Sequence, residues 1–177
     1  MTVVPRLGRG VRFVILSAVL LAALPVTLAA CGSSTAPDGT GDSQLPTVTG
    51  AGDLSAKPTI AAGAGTPPAT LVTRDLVVGT GAVASPTSTV SVQYVGTLWA
   101  NGKEFDASWD RGQPSIFPLD GVIPGFQQGI AGMKTGGRRT LVIPPELGYG
   151  AADQGPIPGG STLVFVVDLV GVQASDH

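Results

Sequence analysis

Thr162 to Val172 reads TLVFVVDLVGV, the longest apolar run beyond residue 70. Val, Leu and Phe at eight of these eleven positions suit a central β-strand better than an edge. A chain that carries such a strand must supply further strands beside it. The segment that contains them begins where the composition changes, at Leu71. Eight of the nine aromatics and all the valine-rich runs with alternating neighbours lie from there to the C-terminus. The 107 residues of 71–177 suffice for one hydrophobic core.

Within this region, Leu71 to Val78 is β-rich and is ended by Gly79-Thr80-Gly81. In Thr89 to Leu98, Val90, Val92 and Tyr94 alternate with Ser91 and Gln93, which predicts a strand with one buried face. Asn101-Gly102 is a hairpin signal, because both residues accept positive φ. Short strands are expected at Glu104 to Ala107, Ser115 to Leu119 and Arg138 to Ile143. Pro124 to Met133 is the expected helix: proline suits its first turn, and Phe126, Ile130 and Met133 share a face. The fold class is therefore α+β, a curved antiparallel sheet of five to six strands wrapped around one short helix as a half-barrel.

Residues 1–30 read as an address. Arg6, Arg9 and Arg12 precede the apolar stretch Phe13 to Leu24, Pro25 breaks it, and small residues stand at Ala29 and Ala30. This is the three-part pattern of an export signal, and its greasy run is short for a membrane span of about 20 residues. Leu28-Ala29-Ala30-Cys31 resembles the bacterial lipobox, which implies lipidation of Cys31 and attachment to the outer face of the cytoplasmic membrane. An ordinary cleaved signal and an uncleaved anchor over residues 13 to 30 are the other two readings. All three put the domain outside the cytoplasm. Residues 31–70 are rich in Gly, Ser, Thr, Pro and Ala with four charges and no aromatic, and are expected to be a disordered tether.

Several chemistries find no material here. Cys31 is the sole cysteine and His177 the sole histidine, the latter at the chain end, so neither a zinc site nor a disulfide nor a Ser-His-Asp triad is expected. No metal or cofactor is expected. Residues 71–177 carry six Lys or Arg against nine Asp or Glu, with no basic stripe, which argues against nucleic acid.

Four stretches carry a resemblance: VSVQYVGTL from Val90, GKEFDASWDRGQP from Gly102, VIPGFQQGIAGMKTGGRRTLVIPPELGYG from Val122, and IPGGSTLVFVVDLVGV from Ile157. In this order they resemble the FKBP-type peptidyl-prolyl cis-trans isomerases across nearly all of residues 71–177. The resemblance implies an apolar pocket for proline. Tyr94, Phe105, Phe117 and Phe165 match its walls, Phe126 its floor, and Val122 and Ile123 the residues that meet the ligand backbone. Asp106 matches its carboxylate, and Arg111 the arginine packed on that carboxylate. Tyr149 matches a hydroxyl that hydrogen-bonds the ligand, and Ile157 the apolar tip of an overhanging loop. Asp106, Tyr149 and Phe105 are the implied catalytic group.

For Phe117, Phe126 and Phe165 taken singly, core packing is the alternative. Six of the domain's eight aromatics nevertheless fall at pocket positions, all except Trp99 and Trp109. Three departures from the family pattern stand out. Phe126 replaces a floor tryptophan, Ser115 replaces a rim aromatic, and the segment Leu119 to Val122 is about two residues shorter than in the prototype human member. These weaken the implied binding of macrolide inhibitors more than catalysis. The implied partners are proline-containing polypeptides and the implied activity assists the folding of exported proteins; with no flap insertion or coiled dimerisation helix visible in the sequence, a monomer is expected. A non-catalytic module or chaperone using the same pocket is the competing reading.

Overall fold

The computed structural model describes residues 45–173. The expected signal peptide, Cys31, residues 31–44 of the expected tether, and His177 lie outside the described residues. Eight strands and one α-helix follow in chain order: β1 (Val48–Thr49), β2 (Thr59–Ile60), β3 (Val72–Val77), β4 (Thr89–Leu98), β5 (Glu104–Ala107), β6 (Ser115–Pro118), α1 (Pro124–Ile130), β7 (Arg138–Ile143) and β8 (Leu163–Gln173). β1 and β2 pair only with each other; the other six form one antiparallel sheet in the order β3-β7-β8-β4-β5, with β6 also paired to β4. β8, the apolar run, is central, flanked by β7 and β4 over most of its length.

The helix is shorter than its apolar spacing suggests. It ends at Ile130, because Ala131 turns extended and Gly132 adopts a positive φ of 82° that only glycine takes without strain. Met133 remains buried in the core without being helical. The Arg139 guanidinium, which Asp75 holds, donates to the Gly129 carbonyl at 2.9 Å and satisfies one of the carbonyls at the helix end.

The sheet is buried on both faces. Toward the helix, Val90, Val92 and Tyr94 of β4, Leu141 and Ile143 of β7, and Phe165, Val167 and Leu169 of β8 pack with Phe126 and Ile130. The alternate residues Val95, Val142, Val164 and Val166 point to the opposite, outer face. This face is covered by a strap formed from residues 45–65, contrary to the expected tether. Ile60 is buried there with Trp99 and Ala107, and Leu45 and Val48 pack against the same cluster.

The strap is also fixed by polar ties. Gly63 donates its N–H to the Trp99 carbonyl at 2.8 Å. The Arg138 side chain is wholly buried on the outer face; it pairs with Asp168 at 2.5 Å and also donates to the Gly50 and Ala56 carbonyls. A buried guanidinium needs such partners to offset its lost hydration. Burial pushes the Asp168 carboxyl above its ordinary pKa, against the pull of Arg138. Residues from Leu45 onward therefore already pack with the sheet, well before the compositional change at Leu71. The reason is that the outer sheet face requires a cover, and only a few apolar residues are needed to provide it.

Candidate active site

β4 organises the site because it changes neighbours along one edge. Its first half, Thr89 to Val92, pairs with β6, and its second half, Val95 to Thr97, pairs with β5. Tyr94 stands between the two, on the inner face. There the chain leaves the sheet through a 3₁₀ turn at Ser108–Arg111, so the side chains of β5, the turn and β6 converge on Tyr94.

Adjacent residues of a strand ordinarily face opposite sides. Phe105 and Asp106 nevertheless reach the same hollow, because the register breaks between them and β4. Thr97 opposes Glu104, but Gly96 opposes Asp106, which leaves Phe105 as an extra residue. Such a bulge re-aims side chains. Gly96 lies directly beneath the result. A Cβ there would stand 2.7 Å from atoms of both the Phe105 and Phe165 rings, so a residue without a side chain is what lets the two rings approach.

The hollow has a volume of about 360 Å³ and is lined by Tyr94, Phe105, Asp106, Phe117, Gly121, Val122, Ile123, Phe126, Tyr149 and Phe165. Its aromatic rings meet edge to face: Phe126 and Phe165 at 5.2 Å between centroids, Phe105 and Phe165 at 5.5 Å, Tyr94 and Phe126 at 6.1 Å. These separations and tilts suit the ring quadrupoles and make the walls stiff. Two other hollows, of about 330 and 480 Å³, lie beside the strap. Neither brings facing aromatic rings together with a carboxylate.

One side of the site is polar. The Tyr94 hydroxyl donates to Asp106 Oδ2. Arg111 donates to Asp106 Oδ1 at 2.7 Å, to the Tyr94 hydroxyl at 2.8 Å and to Ser115 Oγ at 3.1 Å, with its guanidinium 5.6 Å from the Tyr94 ring centroid. Burial opposes ionisation of Asp106, but the hydrogen bonds from Tyr94 and Arg111 outweigh it and hold the carboxyl below its ordinary range. Burial, reinforced by the Asp106 carboxylate, pushes the Tyr94 phenol up to about 12. At neutral pH the site thus presents a fixed carboxylate and a neutral phenol.

Nine of the residues expected at a proline pocket line this one hollow. Arg111 stands behind Asp106 rather than in the lining. Ile157 is buried in the inner cluster, beside Tyr94, Phe126 and Phe165, and is not among the residues that line the hollow. Tyr149 sits at the rim, 40% exposed. Gly121 and Gly96 were not among the expected residues. The clue to Gly96 is its position in the Tyr94-Val95-Gly96 stretch, one inward residue beyond the tyrosine. Among the described residues no group of three or more His, Cys, Asp or Glu stands together to hold a metal.

An FKBP-type peptidyl-prolyl cis-trans isomerase family model matches residues 81–170. The chain belongs to this family. The isomerase is 54% identical over 114 residues to a probable FK506-binding protein of Corynebacterium glutamicum, covering 64% of this chain and 97% of that one. It is 51% identical over 120 residues to an FK506-binding protein of Streptomyces anulatus, covering 66% and 97%. Among solved structures, the crystal structure of FkpA from Escherichia coli superposes with a TM-score of 0.57 at 49% identity, over 60% of this chain and 49% of that one. The chain is a peptidyl-prolyl cis-trans isomerase, and its substrates are proline-containing polypeptides.

Proposed function

We propose that this isomerase acts on exported polypeptides outside the cytoplasm, assisting their folding, and that it is held at the membrane by lipid on Cys31. The basic start, apolar stretch and Leu28-Ala29-Ala30-Cys31 sequence of residues 1–31 support the export and anchoring. We assign catalysis to the aromatic hollow. The observation that carries the assignment is one carboxylate, held ionised by Tyr94 and Arg111, at the edge of an apolar cavity.

Rotating an amide costs about 18–20 kcal/mol because its resonance must be broken. A catalyst of this reaction needs neither nucleophile nor metal; it must bind the twisted amide better than the planar one. The planar amide is the more dipolar form, so withdrawal from water favours the twisted one. In this reading the proline ring rests on Phe126, walled by Tyr94, Phe105, Phe117 and Phe165. The Ile123 N–H and the Tyr149 hydroxyl fix the flanking carbonyls. Asp106 supplies a directed field near the rotating carbonyl, with Arg111 holding its orientation. Macrolide inhibitors would use the same hollow, weakened by the smaller floor at Phe126 and by Ser115, which here bonds Arg111 instead of raising an aromatic rim.

The test is a proline-peptide isomerisation assay on the full chain, with and without a macrolide. Phe105→Ala and Asp106→Ala should each lower kcat/KM by about tenfold or more while circular dichroism stays unchanged. Wild-type turnover in both variants would refute the site. For the anchor, Cys31→Ser should move the protein from the detergent phase to the aqueous phase.

A further inference from the structure

The bulge that aims Phe105 and Asp106 into the hollow is spanned from outside by a residue of the strap. Lys57 Nζ lies 2.8 Å from Glu104 Oε1 and 2.7 Å from Asp110 Oδ1. Glu104 immediately precedes Phe105, and Asp110 immediately precedes Arg111. One ammonium therefore joins the two ends of the stretch that contains Phe105 and Asp106. Pro58, directly after Lys57, and Ile60, three residues on, are buried, so the strap is fixed where the lysine leaves it.

The stretch has reason to need a clamp. β5 has four residues, and its ladder with β4 is interrupted by the bulge, so few backbone bonds define the position of Phe105. The carboxylates of Glu104 and Asp110 also converge on one point. Each helps to hold the Lys57 ammonium charged, although burial opposes this. Without the lysine, two like charges would face each other across the bulge and push its ends apart.

We propose that Lys57 is a positioning residue for the isomerase: through Glu104 and Asp110 it holds the bulge in the register that points Phe105 and Asp106 into the hollow. This rests on the assignment of those two residues to the site. Lys57 touches no substrate and acts from the outer face of the sheet, through the segment between.

The test uses the full chain. Lys57→Met should lower kcat/KM by about two- to fivefold at low ionic strength, the range expected of half-exposed ion pairs. The deficit should shrink in about 1 M salt, where exposed charges are screened. Lys57→Arg should restore activity, as should Lys57→Glu combined with Asp110→Lys. In Lys57→Met, amide exchange should quicken over residues 104–111 while the strap amides of β1 and β2 keep their protection. Unchanged kcat/KM in Lys57→Met at low salt, beside a loss in Asp106→Ala, would overturn the clamp and leave the site assignment standing. Faster exchange throughout the strap would also overturn it, since the loss would then follow from strap release.

Discussion

Gly96→Ala is the smallest change that tests how the pocket walls are supported. An added methyl group would sit 2.7 Å from Phe105 Cζ and Phe165 Cε1, and 2.8 Å from Phe105 Cε2. Carbon atoms pack at about 3.5–4.0 Å, so both rings must withdraw by about 0.8 Å or more. Gly96 is held on one side by β8, opposite Phe165, and on the other by β5, opposite Asp106. The strand has little freedom to retreat, and the rings can move only into the hollow they line. Overpacking of this kind costs about 1–3 kcal/mol, which lowers Tm by about 3–12 °C for a domain of this size. The activity loss should be larger than the stability loss implies. A wall displaced by nearly 1 Å changes the fit of the proline ring, and misplacement on that scale costs up to about a hundredfold in rate. The assay is kcat/KM for a proline peptide well below Tm, with thermal unfolding measured in parallel. Adding Phe105→Leu should recover much of the lost stability by removing one of the two clashing rings, without recovering activity. If Gly96→Ala keeps both wild-type Tm and wild-type kcat/KM, the two rings do not rest on Gly96 and the wall is built otherwise.

Three further outcomes are expected. Ile60→Ala, in the strap, should lower the unfolding free energy by about 2–5 kcal/mol in urea titration; a change near zero would mean that the strap contributes nothing to the domain. Arg138→Met should cost about 3–5 kcal/mol, because it leaves the Asp168 carboxylate buried without its partner; the matched double variant with Asp168→Leu should be more stable than Arg138→Met alone. The pH profile of kcat/KM should be flat from about pH 5 to 9, since Asp106 titrates below the ordinary carboxylate value near 4 and Tyr94 only near 12. The linked stability terms follow in sign. The Asp106 contribution is present above about pH 4 and lost as pH falls through its depressed native value; the Tyr94 contribution is present below about pH 10 and lost as pH rises toward 12. A kcat/KM inflection near neutrality would point to a different titrating group.

The strands and helix of the inner layer were legible because their signals are local: alternation in Thr89 to Leu98, the Asn101-Gly102 turn, and proline at the start of α1. The strap was not legible. Its strands have two residues each, its apolar anchors are few, and its Gly- and Pro-rich composition reads as a linker. The clue lay elsewhere, in β8. Val164 and Val166 alternate with Phe165 and Val167, so both faces of that strand are apolar and both need covering, whereas a single helix covers one. For the site, the aromatic positions came from the family resemblance. The bulge at Phe105 did not, because register depends on pairing between strands and not on either strand alone. The bond from Arg111 to Ser115 was hidden for a related reason: the position drew notice for the aromatic it lacks, and its hydroxyl found a use only once β6 was laid beside the turn.

The cover on the outer face also bears on the enzyme's own company. In the proposed function its substrates are unfinished chains with apolar side chains still in the open. Were residues 45–65 clipped or peeled back, Val95, Trp99, Val142, Val164 and Val166 would form a bare greasy plane, the kind of surface that gathers other proteins indiscriminately. An isomerase in that condition would adhere to its substrates and to its own copies, and the short Gly- and Pro-rich strap keeps that plane covered.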